Sequence, residues 1–199
     1  MVIYYKNYRG VEMRRKDDGK EKSIKEAVVK LILELGFHGT SISKIAKEAG
    51  VSPATVYIYY ENKEIMLRDI YHEYSEEIFN YLLDMVYEDM DGRELIEMLA
   101  RGYYTYIKEN GEIFHFVDQF SSCPALANHC LERQGIHDLN NLFEEMKEKR
   151  VLKDIQNANL IAILFYPVKS IAIKKYTCEV EQANLLKEMI LIIQDALLA

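Results

Sequence analysis

A nine-residue stretch that begins at Ser52, SPATVYIYY, offers hydroxyl, methyl and phenol groups but no charged side chain. Ser52, Ala54 and Thr55 can touch the methyl group of thymine or accept weak hydrogen bonds, and the phenols of Tyr57 and Tyr59 can reach phosphates or base edges. Arginine on guanine is the most common direct contact to a base, and this stretch cannot make it. If the stretch reads DNA, we expect shape and methyl contacts to supply more of the specificity than guanine contacts.

Two short helices and a tight turn are predicted to present this stretch. Apolar residues at helical spacing predict a helix over about 41–49: Ile42, Ile45, Ala46 and Ala49. Gly50 supplies the positive φ of a tight turn, Ser52 is a good N-cap, and Pro53 suits the first position of a second helix. This arrangement is a helix-turn-helix, whose second helix enters the major groove of DNA.

The flanking segments are predicted to be helical supports. An apolar face predicts a helix from about Ser23, closed by Gly36: Ile24, Ala27, Val28, Leu31, Ile32 and Leu35. Asn62 is the expected N-cap of a long helix that reaches about Glu88. In the second helix of the pair, Val56, Tyr57 and Tyr60 are expected to face inward, which leaves only the hydroxyl of Tyr57 for contact. Three helices would then form an N-terminal unit.

The composition indicates an all-α protein in which only the N-terminal part is basic. Nine glycines and three prolines among 199 residues leave few breaks, and no strand-like alternation of any length occurs. The net charge is −7, yet residues 1–63 carry twelve basic and eight acidic side chains, a net +4. This asymmetry is expected if the first module faces phosphates. With no long apolar run, no signal-peptide pattern and three cysteines, we expect a cytoplasmic protein with reduced thiols and no membrane contact.

Residues 27–67 resemble the N-terminal domain of the TetR/AcrR-like transcriptional regulators. The matching pieces are Gly36-Phe37 before Thr40, Ile45-Ala46, Ala49-Gly50-Val51-Ser52, and Val56-Tyr57-x-Tyr59-Tyr60-x-Asn62-Lys63-Glu64. Two departures from the family pattern are Tyr60, where Phe is usual, and a second helix without Lys or Arg. The resemblance implies a DNA-binding regulator with a larger, all-helical C-terminal domain, and family habit favours a repressor.

The resemblance also implies contacts to the DNA backbone from five residues: Thr40, Ser43, Tyr57, Tyr59 and Lys63. Lys63 would in addition lie where the backbone N–H groups of the next helix favour a phosphate. Lys44 and Lys47 project from the first helix of the pair, either toward phosphates or simply into solvent. Residues 1–20 are basic and without a clear period, so they are either an arm that touches DNA or a solvated terminus.

The remainder of the chain predicts further helices over about 93–108, 124–133, 135–149, 157–176 and 180–198, with an aromatic cluster over 112–121. The resemblance implies that this domain encloses a pocket for a small ligand. Aromatic residues suited to an apolar or aromatic ligand are Tyr103, Tyr106, Phe116, Phe120, Phe143, Phe165 and Tyr166. The alternative is that these side chains are ordinary core.

The last two helices are predicted to form a homodimer. Apolar residues cover most of the circumference of the helix over 157–176: Leu160, Ile161, Ile163, Leu164, Val168, Ile171 and Ala172. Such a helix needs more cover than one domain gives, and a four-helix bundle made from two copies would supply it. A two-fold dimer also suits two recognition helices in successive major grooves, about 34–36 Å apart.

These features predict three segments: an arm (1–20), a helix-turn-helix DNA-binding domain (21–66), and a ligand-binding and dimerisation domain (67–199). The predicted function is a dimeric repressor that binds a palindromic operator and is released by a small apolar or aromatic effector. One alternative is a regulator whose C-terminal domain binds a protein partner or no ligand; another is an all-helical enzyme. No nucleophile is paired with a base, and Cys123, His129 and Cys130 match no zinc spacing, so we expect no enzyme, metal or cofactor.

Overall fold

The computed structural model describes residues 17–87, 89–121, 134–176 and 178–199, which form nine helices and no strand. The helices are α1 (Asp18–Gly39), α2 (Ile42–Glu48), α3 (Pro53–Tyr59), α4 (Lys63–Leu83), α5 (Gly92–Glu109), α6 (Gly111–Phe120), α7 (Gln134–Glu148), α8 (Asn157–Ile173) and α9 (Glu179–Leu197). The all-α prediction is confirmed. The helix expected over 124–133, with Cys123, His129 and Cys130, lies outside the described residues. Within those residues, no helix has the length and apolar character needed to cross a membrane.

Helix α1 begins earlier than the sequence pattern predicted. The Asp17 carboxylate accepts a hydrogen bond from the Gly19 N–H at 3.1 Å and so caps the helix. Lys20 lies 3.2 Å from the same carboxylate, and its hydrogen bond and charge lower the pKa of Asp17. Residues 18–20 therefore belong to α1, and the expected boundaries of the arm, at residue 20, and of the helix, at Ser23, were wrong.

Helices α1 to α3 form a small unit, called the head below. Its core consists of side chains that are fully or almost fully buried: Ile24, Val28, Ile32, Ile45 and Val56. Burial of each such side chain contributes about 1.5–3 kcal/mol, which compensates for the short length of α2 and α3. The three helices are thus held by one another rather than by their own propensity.

Helix α4 joins the head to the remaining helices. The Asn62 side chain accepts a hydrogen bond from the Ile65 N–H at 2.8 Å, which confirms the predicted N-cap. The helix ends at Leu83 rather than near Glu88. Hydrogen bonds between residues three apart, Met85 N–H to Leu82 O and Val86 N–H to Leu83 O, tighten and close its C-terminus.

Helices α5 to α9, called the body below, pack around α5. Helix α5 lies against α4, α6, α8 and α9, and α7 packs on α4. Gly102 of α5 faces the end of α4, where an added Cβ would lie 3.2 Å from the Leu82 Cδ2 atom and 2.1 Å from the tip of the flexible Met85 side chain. Helix α6, which the sequence marked only as an aromatic cluster, packs on α1 and so connects body and head directly.

Candidate nucleic-acid interface

The turn between α2 and α3 has the predicted geometry. Gly50 adopts a φ of +66°, and the Val51 N–H donates to the Ala46 carbonyl at 2.9 Å, closing the end of α2. The Ser52 hydroxyl accepts a hydrogen bond from the Thr55 N–H at 3.1 Å, and Pro53 follows as the first residue of α3. The predicted helix-turn-helix is therefore confirmed.

Helix α3 presents one face to the core and the other to solvent. Val56 and Tyr60, four residues apart, are buried as predicted, whereas Tyr57 is 57% exposed and Ile58 is 53% exposed. The expectation that the Tyr57 ring is core was wrong, because Tyr57 follows the exposed Pro53 by one helical turn. Ile58 was missed, although its spacing of four from Ala54 places it on the same outer face.

The two hydroxyls at the start of α3 interact with each other. The Ser52 and Thr55 side-chain oxygens are 2.9 Å apart, and the Ser52 oxygen also caps the helix. The outer face beyond this pair consists of Pro53, Ala54 and the neighbouring Tyr57 and Ile58. The outer face of α3 is therefore predominantly apolar.

Thr40, expected to contact the DNA backbone, lies inside the head. Its side chain is buried, with 2% of the residue exposed. The hydroxyl lies 2.9 Å from the Gly36 carbonyl and 3.1 Å from the Leu31 carbonyl, both acceptors. Gly36 has a φ of 70° and a ψ of 173°, so its carbonyl is turned out of the helical ladder of α1. Thr40 thereby compensates for the break at Gly36 and positions α2.

Two lysines of the predicted interface also bond within the head. The Lys63 ammonium lies 2.9 Å from the Phe37 carbonyl and 3.1 Å from the Thr40 carbonyl, and 3.9 Å from the centre of the Phe37 ring. The exposed Lys44 ammonium donates to the Gly39 carbonyl at 2.7 Å. Both side chains thus fix the loop between α1 and α2, where carbonyl groups are left without helical partners.

Tyr59 connects the recognition helix to the beginning of α1. Its hydroxyl donates to the Asp17 carbonyl and accepts from the Asp17 N–H, both at 3.0 Å. The preceding residues, 1–16, contain five Lys and Arg and one acidic residue in the sequence. This basic segment therefore joins the described chain at a point held against α3.

The aromatic residues that were predicted to line a pocket are mostly packed against one another. The Tyr103 ring lies 4.8 Å from the Phe165 ring and 5.8 Å from the Phe114 ring, and Phe116 and Phe120 are 5.4 Å apart. Burial raises the pKa of the Tyr103 phenol, with a smaller contribution from Asp118. These rings form edge-to-face contacts typical of a core.

The remaining predicted pocket residues differ in their surroundings. Phe143 is buried, and the buried Tyr106 donates to the Glu77 carboxylate at 3.1 Å. Tyr166 is 64% exposed, so its assignment to an internal pocket was wrong within one copy of the chain. None of the seven residues lines the open groove of about 1160 Å³ that lies between α1, α4 and the start of α6.

The last two helices expose apolar side chains that one copy of the chain does not cover. Five of these side chains are at least 44% exposed: Tyr166 and Ile173 on α8, and Val180, Leu191 and Ile192 on α9. Large apolar side chains exposed on two helices that pack on each other are candidates for an interaction surface.

Comparisons with known proteins agree with this geometry. Residues 24–70 match the family described as bacterial regulatory proteins, tetR family. A TetR family transcription regulator from Marinobacter aquaeolei VT8 has 27% sequence identity and a TM-score of 0.78, over 94% of this chain and 99% of that one. The FadR regulator from Bacillus subtilis, solved in complex with stearoyl-CoA, shares the fold with 20% identity and a TM-score of 0.66, over 85% and 97% of the two chains.

Among curated relatives, the icaADBC negative transcriptional regulator IcaR of Staphylococcus epidermidis is 31% identical over 110 residues, which is 55% of this chain and 57% of that protein. The chain spans about half the length of the curated relatives it matches. The chain thus has an N-terminal helix-turn-helix domain that matches the tetR family, and its helices are arranged like those of a TetR family transcription regulator. The curated relatives are named as transcriptional regulators and not as enzymes, which argues against the enzymatic alternative.

Proposed function

We propose that the protein is a cytoplasmic, homodimeric repressor that binds a palindromic operator and is released by a small apolar or aromatic effector. The observation that carries this proposal is the exposed outer face of α3, held by caps and buried residues in a domain that matches a DNA-binding family. In this proposal the DNA-binding domain ends near residue 66, and residues 67–199 bind the effector and form the dimer.

Contacts to DNA are divided between two faces of the helix pair. Ser43, Lys44 and Lys47 lie on the exposed side of α2 and reach phosphates. On α3, Ser52, Ala54 and Thr55 face bases and the hydroxyl of Tyr57 reaches the backbone, while the hydroxyl of Tyr59 holds Asp17 at the start of α1. Thr40 and Lys63 contribute by positioning the loop before α2, since their polar groups already bond within the head.

The basic segment before Asp17 supplies further phosphate contacts. Its sequence contains five cations and continues into Asp17, which bonds Tyr59, while α3 carries no cation of its own. Each phosphate that a protein neutralises steepens the dependence of the binding constant on salt by about 0.9 in a double-logarithmic plot. Arg14→Gln with Arg15→Gln should therefore flatten the salt dependence relative to Arg101→Gln with Lys149→Gln, a pair in the body.

The dimer forms through the exposed faces of α8 and α9. The apolar side chains of Tyr166, Ile173, Leu191 and Ile192 would be covered by the same faces of a second copy, as a two-fold axis requires. Light scattering at micromolar concentration should give the mass of two chains, and Leu191→Asp with Ile192→Asp should give the mass of one. A wild-type monomer at that concentration would contradict the dimer.

The effector is proposed to enter among α5, α6 and α8, where it separates the rings of Tyr103 and Phe165. The Lys169 ammonium and the Asp118 carboxylate, 2.9 Å apart, supply polar groups beside these rings. Since α6 packs on α1, displacement of α6 would change the position of the head. The ligand acts only if it binds the two positions with different affinity.

A long-chain acyl thioester is the first effector class to test, because the structurally similar FadR was solved with stearoyl-CoA. A fluorescent duplex from the region upstream of the protein's own coding sequence should bind, and stearoyl-CoA should release it while coenzyme A alone does not. Tyr103→Ala should weaken release without weakening DNA binding. Absence of duplex binding in low salt would contradict the DNA-binding proposal.

One observation favours a second candidate function. The predicted pocket rings are in contact with one another in the described part of the chain, as in a closed core. A regulator whose C-terminal domain binds a protein partner or no ligand would have such a core. Duplex binding that resists every acyl thioester and aromatic compound would favour this candidate.

A further inference from the structure

The side chains on the outer face of α3 restrict which base pairs this helix can recognise. Ala54, Tyr57 and Ile58 share one face at spacings of three and four, and the two larger side chains are more than half exposed. Two consecutive large apolar residues on a short exposed helix are costly in water unless a partner covers them. Because this helix lies in the domain that matches the tetR family of regulatory proteins, the proposed function makes duplex DNA the partner of this face.

The polar groups of α3 are engaged elsewhere or lie off this face. The Ser52 and Thr55 oxygens contact each other at 2.9 Å, and the Tyr59 hydroxyl both donates to and accepts from the backbone of Asp17. Tyr57 carries the remaining hydroxyl of the helix, at the tip of an exposed ring. The face therefore lacks the paired donors that guanine requires and the amide that adenine prefers.

The major groove displays one apolar group, the C5 methyl of thymine. We propose that α3 reads thymine methyls, with Ile58 and Ala54 as the residues that determine specificity, so that operator half-sites contain A·T pairs beneath α3. This inference rests on the proposed DNA-binding function and names the feature of DNA that the site selects. Removing one buried methyl contact should weaken binding about fourfold.

The first experiment is a selection with the full-length wild-type chain from a random library of 30-base-pair duplexes. Thymine should be enriched at fixed positions in each half-site. In the best duplex, deoxyuridine then replaces these thymidines one at a time, which removes only the methyl group. At the positions under Ile58 the dissociation constant should rise about fourfold, and 5-bromodeoxyuridine, whose bromine fills the volume of the methyl, should restore binding.

A double-mutant cycle identifies the residue. Ile58→Ala should weaken binding to the thymidine duplex but abolish the penalty of deoxyuridine at one position, whereas Leu35→Ala, an exposed aliphatic substitution outside α3, should leave that penalty intact. Circular dichroism checks that both variants are folded.

The inference is overturned if G·C pairs are selected under α3, or if deoxyuridine changes affinity less than twofold at every half-site position. An unchanged deoxyuridine penalty in Ile58→Ala also overturns the assigned role of Ile58. These results leave DNA binding itself intact. If the wild-type chain enriches no duplex, the proposed DNA-binding function fails, and the inference fails with it.

Discussion

The head and the body use polar and apolar side chains in opposite ways. In the head, Thr40 and Lys63 turn inward to bond carbonyl groups, while Tyr57 and Ile58 remain outside. In the body, aromatic rings such as Phe116 are buried against each other. In the head, polar side chains therefore hold the loop between α1 and α2, and the outer face of α3 stays exposed. In the body, apolar side chains fill the space between the helices.

This difference predicts where each region is vulnerable. In the head, α2 and α3 have seven residues each and depend on caps and loop hydrogen bonds, because helices this short have little stability of their own. A body of longer helices depends on close packing, since its free energy comes mainly from buried apolar surface. The junction, where Lys25 of α1 bonds Glu73 of α4 at 2.6 Å, should matter least for stability.

The largest expected effect is the loss of packing in the body. Phe116→Ala removes a fully buried ring that contacts Tyr74 and Phe120, and should lower the free energy of unfolding by about 3–5 kcal/mol in urea titrations. The matched head variant, Ile45→Ala, should cost about 2–5 kcal/mol. A loss below about 1 kcal/mol for Phe116→Ala would instead indicate loose packing, as in a preformed pocket.

Gly36→Ala tests the importance of the break in α1 at Gly36. With a φ of 70° and a ψ of 173°, Gly36 occupies a region that is accessible almost only to glycine. The substitution should cost about 1–3 kcal/mol in the same titration. Gly111→Ala is the control, because it lies at the start of α6 with open space around an added Cβ and should not destabilise the protein. Equal effects of the two substitutions would contradict the role of the break.

Thr40→Val isolates the buried hydroxyl, since valine keeps the shape of the side chain. Loss of the hydrogen bond to the Gly36 carbonyl should lower the free energy of unfolding by about 0.5–1.5 kcal/mol. Thr40→Ser should retain most of this stability. Thr105→Val, at a half-exposed position of α5, is the matched control and should stay within about 0.5 kcal/mol of wild type. If Thr40→Ser loses as much as Thr40→Val, packing of the methyl group rather than the hydroxyl matters.

The smallest effect is expected at the junction. Lys25→Gln removes ion pairs to Glu73 and Glu21, and should cost at most about 1 kcal/mol, because both carboxylates are partly in water. Lys22→Gln removes a pair within α1 only and serves as the control. Hydrogen exchange of α1 amides measures whether head and body separate more readily. If Lys25→Gln lowers the free energy of unfolding by well over 1 kcal/mol, the ion pairs at the junction contribute substantially to stability.

Much of the head follows from its sequence because the determining interactions are local. Gly50 at the turn, the Ser52 cap with Pro53 after it, and the Asn62 cap each involve residues within a few positions of one another. Such short-range signals fix helix ends directly. The start of α1 was missed because its cap, Asp17, precedes the apolar pattern from which the helix was predicted.

The long-range contacts of the head were decided only by the tertiary structure. The bonds of Lys63 to residues near the end of α1, and of Tyr59 to Asp17, join positions far apart in the chain. Sequence shows a lysine and a phenol but not whether their polar atoms meet DNA, water or a carbonyl group. The exposure of Tyr57 was misjudged for the same reason, because the core side of a short helix depends on its neighbours.

In the body, the sequence by itself determined the approximate limits of α5, α7, α8 and α9, since periodic apolar faces record helix length, but it did not show that α6 is a helix. It did not determine whether the aromatic residues line a cavity or fill one, because a pocket wall and a core have the same composition. Tyr166, predicted inside, is exposed, while Phe143 and Phe165 are buried. Only packing in three dimensions distinguishes these cases, since free volume is a property of how helices meet.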